Sequence, residues 1–120
     1  MPEAASVGLT EAKARELHPE GVLVGKFPFV ANSRAVAYGE KQGFVKVIAD
    51  KTYGEILGAH IVGGTASEMI AEPTALMVAE ATIQDVAFRM IHGHPSFSEA
   101  FMEACKDALG AAVHIPAKKK

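Results

Sequence analysis

Two apolar runs, Gly43 to Ala49 and Glu55 to Val62, flank the short connection Asp50-Lys51-Thr52-Tyr53-Gly54. A connection of this length containing glycine, between runs rich in β-branched residues, is the pattern of an antiparallel hairpin. Phe44-Val45-Lys46-Val47-Ile48 is therefore expected to pair with Ile56-Leu57-Gly58-Ala59-His60-Ile61-Val62.

Around this hairpin the chain supplies further strands and the helices to cover them. Ala5-Ser6-Val7-Gly8 reads as a short strand, and Thr10 followed by Glu11 marks a helix start, with His18-Pro19-Glu20-Gly21 ending it. Val22 to Phe29 reads as another strand, at whose end or edge Pro28 belongs because it has no N–H to donate. Ala31-Asn32-Ser33-Arg34 reads as a turn. After the strand break at Gly63-Gly64, Thr65-Ala66-Ser67-Glu68 has the capping-box pattern. Ala66, Met69, Ile70, Pro73, Leu76 and Met77 then recur at helical spacing, which predicts a helix covering the sheet that Pro73 kinks or interrupts. Thr82 opens a second short helix through Arg89, and Ser96-Phe97-Ser98-Glu99 opens a third that ends near Gly110. Strands mostly first and helices afterwards predict an α+β fold, an antiparallel sheet with helices packed mainly on one face. With 120 residues and no linker, residues 1–120 should form a single domain.

Composition narrows the function. An apolar fraction of 49% with 22% charged residues describes a folding chain, not a disordered one. The formal charge is −2 and the single basic run is Lys118 to Lys120, so no basic face is expected and nucleic acid is excluded as a partner. No stretch approaches the about 18 apolar residues of a membrane helix. Met1-Pro2-Glu3-Ala4 lacks the basic and apolar regions of a signal peptide, and Cys105 is the one cysteine, so a cytoplasmic setting is expected. Neither G-x-G-x-x-G nor G-x-x-x-x-G-K-[ST] occurs, so no nucleotide cofactor is expected in this chain by itself.

Chemistry concentrates in His92-Gly93-His94-Pro95-Ser96-Phe97-Ser98-Glu99. Pro95 should keep His94 extended just before a helix, and alternation along an extended chain would let His92 and His94 share a face. Glu99 could fold back on either imidazole. A carboxylate on one ring nitrogen fixes the tautomer and raises the basicity of the other, as a general base near neutral pH requires. Plainer readings stand beside this one. Glu99 lies three residues after Ser96 and could be the distal member of a capping box; His94 could be a turn histidine satisfied by backbone carbonyls. The two histidines could also ligate a metal with a third group from His60, His114 or Cys105, although no metal is assigned. Cys105, in a helix beside Met102 and Leu109, reads as a buried, inert thiol.

Taken in order, several segments carry a resemblance: Pro2 to Glu11, Gly25-Lys26-Phe27-Pro28-Phe29, Gly43-Phe44-Val45-Lys46, Ile56 to Gly63, Ala66-Ser67-Glu68 and the H-x-H-P-S-x-x-E segment. Over nearly the whole chain, the sequence resembles the C-terminal dimerisation (interface) domain of the pyridine nucleotide-disulfide oxidoreductases, in the dihydrolipoamide dehydrogenase branch. The upstream histidine and His114-Ile115-Pro116 favour that branch over the glutathione-reductase-like one. The resemblance implies that His94 is an acid/base, that Glu99 orients it, and that the dyad acts in the partner subunit's active site. It also implies that the backbone at His92 and Pro95 approaches the partner's flavin. Ser96 stands where the family usually has threonine, and Pro73 departs from an alanine-rich helix.

By the same resemblance the complete enzyme would be a homodimer using FAD and NAD, with those cofactors and a redox disulfide on domains absent from this chain. Lipoyl domains of a 2-oxo acid dehydrogenase complex would then be partners. Two rival readings are a self-associating interaction module without catalytic role and the interface domain of another disulfide reductase; a small metal-binding protein is a further one. Met69, Met77, Phe97, Phe101 and Met102 are more large apolar groups than one thin layer buries, so some are expected at an interface.

Overall fold

The computed structural model describes residues 2–110. A four-stranded antiparallel sheet has the spatial order β1-β4-β3-β2, formed by β1 (Glu3–Gly8), β2 (Val22–Pro28), β3 (Phe44–Asp50) and β4 (Ile56–Gly63). The expected hairpin is its centre, with Val45 opposite Ile61 and Val47 opposite Ala59. Asp50 stabilises the connection by accepting the Tyr53 and Glu55 N–H groups at 2.6 and 2.7 Å. The register shifts by one residue at Ile48/Ala49, and the Leu57 carbonyl there accepts the Leu9 N–H at 2.9 Å, tying the bulge to the chain beyond β1. Pro28 ends β2, an edge strand, as its missing N–H requires.

The period-two alternation of β3 divides the core. Val45, Val47 and Ala49 face the main helical layer with Phe27, Ala59 and Ile61. Lys46 and Ile48 face the other way, towards α1 (Glu11–Leu17), where Lys46 pairs with Glu11 at 2.8 Å. Lys46 first and Arg15 second hold the Glu11 carboxyl below its ordinary value. The layer is thus mainly, not wholly, one-sided. Thr10 caps α1 by accepting the Lys13 N–H at 3.2 Å.

Two local expectations need correction. Ala31 to Arg34 is more than a turn: a 3-10 turn, Phe29–Ala31, leads into α2 (Ser33–Tyr38), capped by Asn32, whose Oδ1 accepts the Ala35 N–H at 2.9 Å. Thr65 does not cap α3 (Ala66–Met69); its Oγ1 is buried without a partner, because Glu3, across from the end of β4, takes the Ser67 N–H at 3.0 Å and hydroxyl at 2.8 Å instead. The interruption expected at Pro73 is present: the helical stretch divides at Ile70 into α3 and α4 (Ala71–Val78), with Pro73, which has no N–H to donate, in the first turn of α4. Of the five large apolar groups from which an interface was expected to draw some, Met69 and Phe101 belong to the core, since α3 and α5 (Glu99–Ala108) turn those residues towards the sheet. Met77, Phe97 and Met102 pack at its margin. The large apolar groups left exposed include Val30, Val36, Tyr38, Val78, Phe88 and Ile91.

The helical segment after Thr82 widens into a π-turn over Asp85–Arg89, closed by the Met90 N–H on the Asp85 carbonyl at 2.9 Å. Thr82 and Asp85 make a reciprocal cap, each backbone N–H donating to the other's side chain at 3.1 Å. Among the described residues no helix is long and apolar enough to cross a membrane. Residues 111–120, including His114 to Pro116 and the Lys118 to Lys120 run, lie outside the described residues.

Candidate functional site

The segment from Ile91 to Phe97 crosses between the π-turn and α5 without regular structure, and side chains from three helices hold it. The His94–Pro95 peptide is cis. On its N-terminal side His92 Nε2 meets Glu72 Oε2 of α4 at 2.6 Å, with only 5% of the His92 side chain exposed. On its C-terminal side Arg34 of α2 donates from Nε and Nη2 to the Pro95 carbonyl at 3.1 and 2.8 Å. Asn32 Nδ2 donates to the Ser96 carbonyl at 3.0 Å. Phe97 then packs edge-on against Phe29 and Tyr38, with ring centroids 6.4 and 5.8 Å away.

His94 and Glu99 come together. His94 Nδ1 lies 3.0 Å from both Glu99 carboxylate oxygens, the imidazole side chain 68% exposed and the carboxylate 16%. Glu99 Oε1 also accepts the Ser96 N–H at 2.9 Å, so the distal half of a capping box coexists with the dyad. The proximal half is missing. Ser96 Oγ is buried without a partner, because turns from Phe97 and Ser98 onto Ala100 and Phe101 start α5 later, with Ser98 at the cap. Ser96 is therefore not the N-cap its position implied.

His92 and His94 do not share a face. Each ring is drawn to its own carboxylate, on a different helix, so one is buried and the other exposed. Nor does a third metal ligand join them. His60 sits on the α1 side of the sheet, its Nδ1 on Ser6 Oγ and its Nε2 on the Leu9 carbonyl, both at 2.9 Å. Cys105 is buried within α5. Among the described residues no group of three or more His, Cys, Asp or Glu side chains is placed to hold a metal. His114 lies outside them.

Asn32, Arg34 and Glu72 were not singled out from sequence. Asn32 carried a signal, since asparagine ahead of Ser33-Arg34-Ala35-Val36 is a strong N-cap. Arg34 and Glu72 carried none, because their partners are 61 and 20 residues away.

Comparison with known proteins fits this geometry. The family model for the pyridine nucleotide-disulphide oxidoreductase dimerisation domain matches residues 1–105. The chain belongs to that family. Its relatives include a dihydrolipoyl dehydrogenase of Bacillus subtilis, 47% identical over 95% of this chain and 24% of that protein. The mitochondrial dihydrolipoyl dehydrogenase of Caenorhabditis elegans is 53% identical over 86% of the chain and 20% of that protein. Among solved structures, LpdA of Mycobacterium tuberculosis superposes with a TM-score of 0.79 at 25% identity, over 88% of this chain and 22% of its own. The HOCl-induced flavoprotein disulfide reductase RclA of Escherichia coli gives 0.78 at 27% identity, over 88% of this chain and 26% of its own. The chain thus spans about a quarter of the proteins it matches.

The family is one of flavoproteins, and the Gly-Gly pair among the described residues is crowded. The Gly63-Gly64 junction between β4 and α3 is the nearest thing to a phosphate-binding turn. A Cβ on Gly63 would meet the Phe29 ring at 2.6 Å, and one on Gly64 the Glu40 carboxylate at 2.0 Å, so an aromatic ring and an anion crowd the place a pyrophosphate would need.

Proposed function

We propose that this chain is the dimerisation domain of a dihydrolipoyl dehydrogenase and supplies the His94–Glu99 dyad to the disulfide site of the partner subunit. One observation carries the reading: His94 is exposed on its ring while its Nδ1 is held by both oxygens of a mostly buried carboxylate. Glu99 fixes the tautomer with Nδ1–H donating inwards, which leaves the Nε2 lone pair facing out. Ser96, Arg34 and Asn32 fix the peptide units that follow.

In this reading Nε2 takes the proton of one dihydrolipoamide thiol, and the resulting thiolate attacks a sulfur of the enzyme disulfide. A substrate–enzyme S–S bond forms as the enzyme S–S bond breaks. The second substrate thiol then closes on the first, giving the cyclic disulfide and leaving the enzyme as a dithiol, the electron pair having moved to it. FAD and NAD, on domains outside this chain, would carry that pair onward. His92 and Pro95 are proposed to lie near the partner's flavin as backbone, since the His92 ring is buried and committed to Glu72. Lipoyl domains of a 2-oxo acid dehydrogenase complex would deliver the substrate.

The test is His94→Gln in the complete enzyme. Turnover with dihydrolipoamide should fall by roughly 10²- to 10⁴-fold with flavin content unchanged, the range for loss of a general acid/base. Glu99→Gln should fall less, because an amide oxygen still accepts from Nδ1–H. Unchanged thiol-dependent turnover in His94→Gln would remove the acid/base role.

A further inference from the structure

The segment carries two His–carboxylate pairs, and the second has no role in the reading above. His92 Nε2 and Glu72 Oε2 are 2.6 Å apart, a short hydrogen bond, with 5% and 21% of the two side chains exposed. The two residues are 20 apart in sequence, so the bond ties the loop to the first turn of α4. His92 Nδ1 is buried and has no hydrogen-bond partner. Glu72 is therefore the one polar tie this ring has among the described residues, and its loss would leave a buried imidazole with neither nitrogen satisfied. The Glu72 charge also adds to the burial that raises the Cys105 thiol, on the helix that carries Glu99.

Between the two rings stands Gly93, and nothing lies within 4 Å of where its Cβ would be. A side chain at this position would find nothing to pack against. On its N-terminal side the position of His94 is set by what holds His92, and on its C-terminal side by Arg34 and Asn32 through the Pro95 and Ser96 carbonyls. The two carboxylates also use opposite nitrogens, Nε2 on His92 and Nδ1 on His94. With each neutral ring donating from the nitrogen that faces its carboxylate, His92 would carry Nε2–H and His94 Nδ1–H, opposite tautomers. His94 Nε2 is left as the outward-facing nitrogen of the pair.

We propose that Glu72 is a positioning residue: by anchoring His92 it fixes the path of the chain through Gly93 and so the placement of the His94 ring. The catalytic consequence rests on the acid/base reading of His94; the tautomer pattern does not.

Long-range ¹H–¹⁵N spectra of the ¹⁵N-labelled chain read the tautomers directly. His92 should appear with Nε2–H and His94 with Nδ1–H. In Glu72→Ala the His92 signal should move to a mixture of forms, and the His94 signals should broaden or shift although Glu99 is intact. Glu72→Gln, which keeps the side-chain size and an acceptor oxygen, should restore much of the parent pattern, and serves alone if the alanine variant does not fold. In the complete enzyme Glu72→Ala should lower kcat with dihydrolipoamide by up to about 10²-fold at nearly unchanged KM, the cost of misplacing a catalytic group. A His94 spectrum identical in parent and folded Glu72 variants would overturn the proposal, as would matching tautomers on the two rings. Spectra that change as expected beside full activity in His94→Gln would support the positioning role and overturn the acid/base reading instead.

Discussion

Cys105 is fully enclosed by α5 and the core, and burial first, with the Glu72 charge second, pushes its thiol well above the ordinary 9.0. A raised folded-state value means that the unfolded chain releases this proton at a pH where the folded chain retains it. The contribution to stability is complete below about pH 9 and is lost as pH rises beyond it. Urea midpoints measured from about pH 8 to about pH 10.5 should fall more steeply for the parent than for Cys105→Ala, which has no thiol to ionise. Parallel curves would show that the thiol ionises equally in both states. This residue was legible from sequence, because helical spacing puts it on one face with core neighbours. Glu99 was legible only as two competing roles. They coexist because a carboxylate has two oxygens and about four acceptor sites, enough for the Ser96 N–H and His94 Nδ1 together.

Among the elements, the contact of α5 with β2 carries most of the consequence for the site. A Cβ on Gly25 would lie 1.8 Å from the Ala104 carbonyl oxygen and 2.7 Å from the Ala108 nitrogen, backbone atoms that have no rotamer in which to move aside. The helix approaches this closely because residue 25 lacks a side chain, and Asp107 then reaches across to accept the Lys26 N–H at 2.9 Å. On conformational entropy alone Gly25→Ala would stabilise a strand by roughly 0.5–1 kcal/mol. Overpacking against backbone outweighs that, and the expected outcome is a net loss of about 1–3 kcal/mol in denaturant unfolding. Because α5 begins at Glu99, the same change should disturb the His94 imidazole resonances; a variant as stable as the parent would show that α5 yields freely. The hairpin, the edge position of β2 and the Gly110 helix stop were readable because alternation, proline and glycine act locally. The Thr65 box failed and the Glu72–His92 tie escaped notice for one reason: the groups that take those bonds arrive through tertiary packing, Glu3 64 residues before Ser67 and Glu72 20 before His92.

For the whole molecule, six of the eight large exposed apolar groups among the described residues fall in two regions of the chain, Val30, Val36 and Tyr38 around α2, and Val78, Phe88 and Ile91 between α4 and the histidines, while Leu17 and Tyr53 stand apart from both. On the proposed reading the chain has two kinds of surface to cover, one towards a second copy and one towards the cofactor domains. The second group is the one proposed to face the second copy. Ile91, 98% exposed, is three residues from His94, so burying it against a twofold partner carries the dyad with it into the neighbouring subunit. The isolated chain should therefore be a homodimer in sedimentation or light scattering across a dilution series. Phe88→Glu with Ile91→Glu should shift it to monomer, because two carboxylates would have to be desolvated in a self-complementary patch. Val30→Glu with Val36→Glu should leave the dimer intact, since those residues would face domains that are not in this chain. The reverse outcome would assign the twofold contact to α2, and a parent chain that stays monomeric at high concentration would show that the dimer contact needs the other domains.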